Sequence, residues 1–204
     1  MSELTADEKA LLTVTLGDYK HPARISYAKV FTPEKNDLSG KDEYSAMFLI
    51  PKTDTATVNK LKTAINVAVK GKWGDKMPAG VRIPLRDGDK DGPTGVPASV
   101  QAGAEPYGGH YFINAKNSMP VKVLDQKMNK IIDPGLLVSG DYVLASFNCY
   151  AYDNKTKGVS FGLNGVQLVR KGEPLGNSFD ETKAFGAIPV ADDVSDASND
   201  AMFS

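Results

Sequence analysis

Cysteine occurs once in the 204 residues, at Cys149, and histidine only twice, at His21 and His110. No intrachain disulfide can form, and a Cys/His zinc site cannot be assembled. Long apolar runs are also missing. No stretch approaches the roughly 18 residues that a membrane helix needs. The first residues lack the basic stretch and apolar core of a signal peptide. These absences predict a soluble chain in a reducing cytoplasm, with no membrane partner. Catalytic signatures are missing too. There is no Walker-type phosphate loop and no Gly-x-Ser-x-Gly elbow, and Cys149 falls on the apolar parity of a strand. Neither catalysis nor a cofactor nor a metal is expected.

What is present is an uneven charge. The net value of -1 conceals a split. Residues 1–172 hold 23 Lys+Arg against 18 Asp+Glu, and residues 173–204 hold 1 against 7. A basic body with an acidic tail fits a nucleic-acid binder or a tail-regulated protein, and equally a tail that only confers solubility.

Residues 1–22 read as an arm, with a short strand at Leu11–Leu16. Period-two alternation predicts strands at Ala23–Phe31 and Tyr44–Ile50. Asp54 is a good N-cap for a helix carrying Val58, Leu61, Ile65 and Ala68 on one stripe, and Gly71 is placed to end it. Lys72–Gly109 is long, Gly/Pro-rich and unpatterned, the kind of connection that tends to be functional. Strands resume at Tyr111–Lys116 and Val121–Leu124. Two more, Tyr142–Tyr152 and Val159–Val169, are joined by a hairpin-like loop. The body is assigned to 23–176 and a flexible acidic tail to 177–204. The expected class is mainly β: a five-stranded barrel with one α-helix, as in the oligonucleotide-binding fold, plus a disordered acidic C-terminal tail. Phe31, Phe48, Phe147 and Phe161 are the expected core rings.

Aromatic and basic residues interleave at four places. Arg24, Tyr27 and Lys29 lie in the first long strand. Lys72 and Trp73 precede Arg82 and Arg86. Tyr107, Tyr111, Phe112 and Lys116 surround another strand, of whose adjacent Tyr111 and Phe112 only one can face inward. Tyr150 and Tyr152 approach Lys155 and Lys157. Flat rings under bases, beside ammonium groups that neutralise phosphates, are what sequence-tolerant single-strand binding requires. The alternative is that tyrosine simply favours half-exposed strands. Asp87, Asp89 and Asp91 with Gly92 resemble the front of a calcium loop, but Ala98 stands where the bidentate glutamate should be, which favours a plain surface loop. In the tail, Asp192, Asp193, Asp196 and Asp200 lead to Phe203, which reads as a hook for a partner's pocket steered by acids; the same tail can compete with DNA for the body's basic groove, and the alternative is a plain tail with an accidental phenylalanine.

Six segments together resemble the phage single-stranded DNA-binding proteins: Ala23–Ala28, Tyr44-Ser45 with Leu49–Lys52, Leu85–Asp89, Gly109–Ala115, Ser139–Tyr142 and Gly158–Gln167. The resemblance implies an oligonucleotide-binding fold and coating of single-stranded DNA during phage replication and recombination in the host cytoplasm. It also implies contacts of the acidic tail with replication or recombination proteins. Many such tails end on phenylalanine, whereas here Ser204 follows Phe203. A homo-oligomer is allowed. The alternatives are a metal-dependent nucleic-acid enzyme using the Asp87/Asp89/Asp91 loop, or a structural phage protein.

Overall fold

The computed structural model describes residues 3–36, 40–91 and 106–175. In chain order they form helix α1 (Ala6–Ala10), strands β1 (Thr13–Leu16), β2 (Ala23–Lys35) and β3 (Asp42–Pro51), and helix α2 (Thr55–Trp73). Strands β4 (Arg86–Asp87), β5 (His110–Asn117), β6 (Lys122–Leu124), β7 (Tyr142–Asp153) and β8 (Lys157–Arg170) follow. The segment expected to be an arm thus carries α1 and β1, and β1 pairs with β7. The positions assigned to the acidic tail, including Asp192, Asp193, Asp196, Asp200 and Phe203, lie outside the described residues.

The pairings of five strands return to their start. β2 pairs with β3, β3 with β5, β5 with β8, β8 with β7, and β7 with β2 at Ala23↔Val143 and Arg24↔Tyr142. Only β5–β8 is parallel within this ring. It is the closed order expected of an oligonucleotide-binding barrel, with β1, β6 and β4 added along β7, β8 and β5.

Alternation explains the interior. Val143, Ala145, Phe147 and Cys149 of β7 point inward, as do Val159, Phe161 and Leu163 of β8. Phe147 packs edge-on against Phe48 at 5.1 Å between centroids and lies 5.8 Å from Phe161, and all three rings are fully buried. Phe31 packs only half-buried against this core. Burial pushes the Cys149 thiol up to about 12, so it stays an inert small hydrophobe.

Helix α2 starts where expected, with the Asp54 carboxylate accepting the Thr57 N–H at 3.1 Å. It ends three residues later than Gly71 predicts. Gly74, at φ 72, is the C-cap, because glycine enters that region without strain. Gly71 instead makes room for the N-terminal segment. A Cβ there would stand 2.9 Å from Leu4 Cδ1.

Candidate nucleic-acid interface

Five consecutive residues of β3, Ala46 to Ile50, are buried. Alternation sends Phe48 and Ile50 into the barrel and Met47 and Leu49 outward. The outward pair joins Tyr107 and Phe112 in a second apolar cluster on the outside of the barrel. Tyr107 meets Phe112 edge-on at 5.4 Å, and its hydroxyl shares a hydrogen bond with Ser26 Oγ at 3.1 Å. Burial raises the pKa of that hydroxyl, with the Ser26 bond opposing it. The expectation that Tyr107 and Phe112 offer free rings is therefore corrected, since they are 5% and 1% exposed. They form the floor of the face. Phe112 has the outward parity yet is covered, whereas Tyr111 packs half-buried against the barrel core. The Arg86 guanidinium lies 4.9 Å over the Phe112 ring and is 3.9 Å from the Asp91 carboxylate.

Beside this floor runs a groove of about 300 Å³ on β2, β3 and β5, lined by Tyr27, Lys29, Lys35, Met47, Asn114 and Lys116. Tyr27 sits at φ 46 within a break of register between Ser26 and Lys29. A non-glycine residue in that region is strained, and such bulges re-aim a side chain. Here the ring is 51% exposed at the groove. Both central lysines are internally matched. Lys29 pairs with Glu34, and Lys116 Nζ lies 2.9 Å from the Glu43 carboxylate, which also accepts from Asn36 Nδ2 at 2.6 Å.

Arg24, expected to meet phosphates, is half-buried and bonds to two backbone carbonyls. Its Nε donates to the Gly140 carbonyl at 3.2 Å and its Nη2 to the Glu173 carbonyl at 2.9 Å. It clamps the chain that leaves β8. The same strap is held by Asp141, fully buried, which accepts from Lys171 Nζ at 2.8 Å and from the Gly172 N–H at 3.1 Å. The Leu175 N–H donates to Ser139, and Leu175 packs on the outer apolar cluster. The chain thus leaves the described body on the groove's own face.

The remaining expected residues gather elsewhere, around the β7–β8 hairpin. Trp73 Nε1 donates to Asp153 Oδ2 at 3.2 Å, and Lys157 Nζ lies 3.6 Å from the same oxygen. Arg82 bridges Gly158 through its backbone, and the Tyr152 ring covers the hydrogen face of Gly158. Lys155 is exposed in the turn, and Lys72 is half-buried at the end of α2. Tyr150 is 44% exposed. Tyr111 lies under two ammonium groups, Lys52 at 5.1 Å and Lys62 at 5.9 Å.

The family model of the Enterobacter phage Enc34 ssDNA-binding protein matches residues 14–196. The chain belongs to this family. A relative from Acyrthosiphon pisum secondary endosymbiont phage 1, putative protein p50, is 30% identical over 181 residues, covering 83% of this chain and 92% of that protein. Among solved structures, the Enc34 single-stranded DNA-binding protein in complex with ssDNA is similar with a TM-score of 0.66 at 21% identity, over 81% of this chain and 90% of that one. The bacteriophage T7 single-stranded DNA-binding protein gp2.5 is similar with a TM-score of 0.52 at 17% identity, over 87% and 98%.

In this member of the Enc34 family the Asp87/Asp89/Asp91 loop is a brace. The Lys52 ammonium pairs with Asp87 and, at 2.6 Å, with Asp89, whose carboxylate also accepts from the Gly109 N–H at 2.7 Å. These bonds hold both carboxyls below the usual aspartate range and raise Lys52. Among the described residues no three His, Cys, Asp or Glu side chains gather as metal ligands, and no helix is long and apolar enough to cross a membrane. Sequence reasoning missed Lys35, Met47 and Asn114 in the groove. The signal was the unbroken apolar run Met47–Ile50, which marks a strand covered on both faces.

Proposed function

We propose that this chain binds single-stranded DNA without catalysis, along the outer face of β2, β3 and β5. The observation that carries the reading is the groove itself, where the exposed Tyr27 ring, held out by a strained bulge, stands beside Lys29, Lys35 and Lys116. Bases stack on the ring, and the ammonium groups follow the backbone with little regard for sequence. Membership of a phage ssDNA-binding family supports it, as does the likeness to a structure that holds ssDNA. The biological setting is coating of ssDNA in phage replication and recombination within the host cytoplasm. The acidic tail recruits replication or recombination proteins through Asp192, Asp193, Asp196, Asp200 and Phe203 and competes with DNA for the groove. The packing of Leu175, just ahead of the tail, on the outer apolar cluster supports that competition. Body 23–176 and tail 177–204 are the corresponding functional units.

Fluorescence anisotropy of labelled oligo-dT at two salt concentrations tests the reading, with the full chain and with a chain ending at Val190. Tight binding that weakens steeply with salt and strengthens without the tail is the expected result. No binding by either protein at low salt would sink it.

A further inference from the structure

The outward register partners of the groove continue around the barrel. Lys29 lies opposite Ser45, Ser45 opposite Lys116, Lys116 opposite Gly162, Gly162 opposite Asn148, and Asn148 opposite Thr13. One row therefore crosses β2, β3, β5, β8, β7 and β1, and none of its positions carries an apolar side chain. Neighbouring positions such as Ala46, Ala115, Phe161 and Phe147 are buried, as alternation requires. From Lys29 to Asn148 the row makes four strand-to-strand steps, about 19 Å at the usual spacing.

Past Lys116 the row changes character. Gly162 leaves a saddle. A Cβ there would stand 3.6 Å from both the Asn148 carbonyl oxygen and Tyr150 Cε1, so the half-exposed Tyr150 ring lies directly beside the bare glycine. A glycine inside a strand often marks close approach of another backbone. Asn148 is held in place, with Nδ2 donating to Asn164 Oδ1 at 3.1 Å and Oδ1 accepting from Thr13 Oγ1 at 3.2 Å. Beyond it, a largely apolar cavity of about 420 Å³ between α1, α2 and β7 is bordered by Tyr150, Lys9 and Lys72, with Glu3 the one acid in its lining.

We infer that the single strand continues beyond Lys116, crossing the Gly162 saddle to a second subsite where Tyr150 stacks a base and Asn148 offers its amide. Lys9 and Lys72 meet backbone phosphates at the far end. This rests on the ssDNA reading above. A ring, a fixed amide and terminal ammonium groups are the elements of sequence-tolerant binding, and the bare glycine lets the strand pass between the two subsites.

The test uses the full chain and two variants, Tyr150→Ala and Gly162→Val. The valine meets only ordinary van der Waals contact at its Cβ but fills the saddle. Anisotropy is measured on oligo-dT of about 25 nucleotides and, by competition, on oligo-dT of about 3 nucleotides, which is too short to reach from Lys29 to Asn148. Both variants should bind the long strand about tenfold more weakly and the short strand as well as the parent does. Unchanged affinity for the long strand, or equal weakening on both lengths, overturns the second subsite while leaving the groove intact. Failure of the unmodified chain to bind either length overturns the groove reading and this inference with it.

Discussion

Two regions of this barrel carry the same mixture of rings and cations and use it differently. At the hairpin end, Trp73 and Lys157 both spend their polar atoms on Asp153, and Tyr152 lies over Gly158. The rings and cations there tie α2 to the β7–β8 turn. On the groove face, the Tyr27 ring is held outward at a backbone cost, and Lys29 and Lys116 are matched by Glu34 and Glu43, which line the groove with them. Strain kept at one exposed ring, above a floor of buried rings, is what a binding surface looks like, and a ring whose own polar atom is tied to another element is what a joint looks like. Composition alone does not separate the two, because the difference lies in what each polar atom touches.

Removing the floor should break the contrast most strongly. Phe112→Ala leaves a cavity beside Met47, Leu49 and Tyr107, and a loss of about 3 kcal/mol in urea unfolding is expected. The oligo-dT affinity of the folded fraction should fall with it. If stability falls and affinity does not, the outer cluster is only packing. A sharper cut is at the strained ring. Tyr27→Gly removes the stacking surface and relieves the positive φ. Affinity for oligo-dT should drop by about 1–3 kcal/mol while stability rises by about 1 kcal/mol. Opposite signs from one substitution would mark strain kept for binding. A loss of both would make the bulge structural.

The same contrast shows how far the sequence was legible. Period-two and period-3.6 patterns gave the long strands, α2 and the core rings Phe48, Phe147 and Phe161, because burial on one side writes itself into alternation. Other features depend on where distant chain arrives. Phe112 is buried on the outward parity because Tyr107 folds over it, and nothing local signals that. Arg24 shows only its charge locally, and the fold alone brings the carbonyl of Glu173, far along the chain, to its guanidinium. Tyr27 has no neighbouring glycine or asparagine to announce its positive φ. Gly71 and Gly74 are both plausible helix ends, and the contact with Leu4 decides between them.

On the joint side, Trp73→Phe keeps the ring and deletes the donor to Asp153. Stability should fall by about 1 kcal/mol, with oligo-dT affinity nearly unchanged. A drop in affinity as large as that of Tyr27→Gly would erase the distinction between the regions. Smaller still is the effect of the groove carboxylates. Glu34→Gln or Glu43→Gln frees a groove lysine for phosphate, so affinity at low salt should rise and the log–log salt dependence steepen by about 0.7 for each lysine recruited. An unchanged slope would mean that the strand never displaces these pairs.

The smallest effect belongs to the Lys52 brace, which stands outside both regions. Asp87 and Asp89 are held below the ordinary aspartate value of 3.8 by their bonds to Lys52. Carboxyls depressed in the folded state stabilise it above their unfolded pKa, and that contribution is lost as pH falls through the folded value. Lys52 is raised above 10.5, so its share is fully present below that pH and is lost only as pH rises through the raised value. The urea midpoint of the parent should therefore exceed that of Lys52→Met across neutral pH. The gap should close on acidification below the aspartate range and again at strongly alkaline pH. A gap that stays constant in acid would assign the brace to the ammonium over the Tyr111 ring, 5.1 Å away, instead of to the carboxylates. Oligo-dT affinity should follow neither limb, since Lys52 does not line the groove.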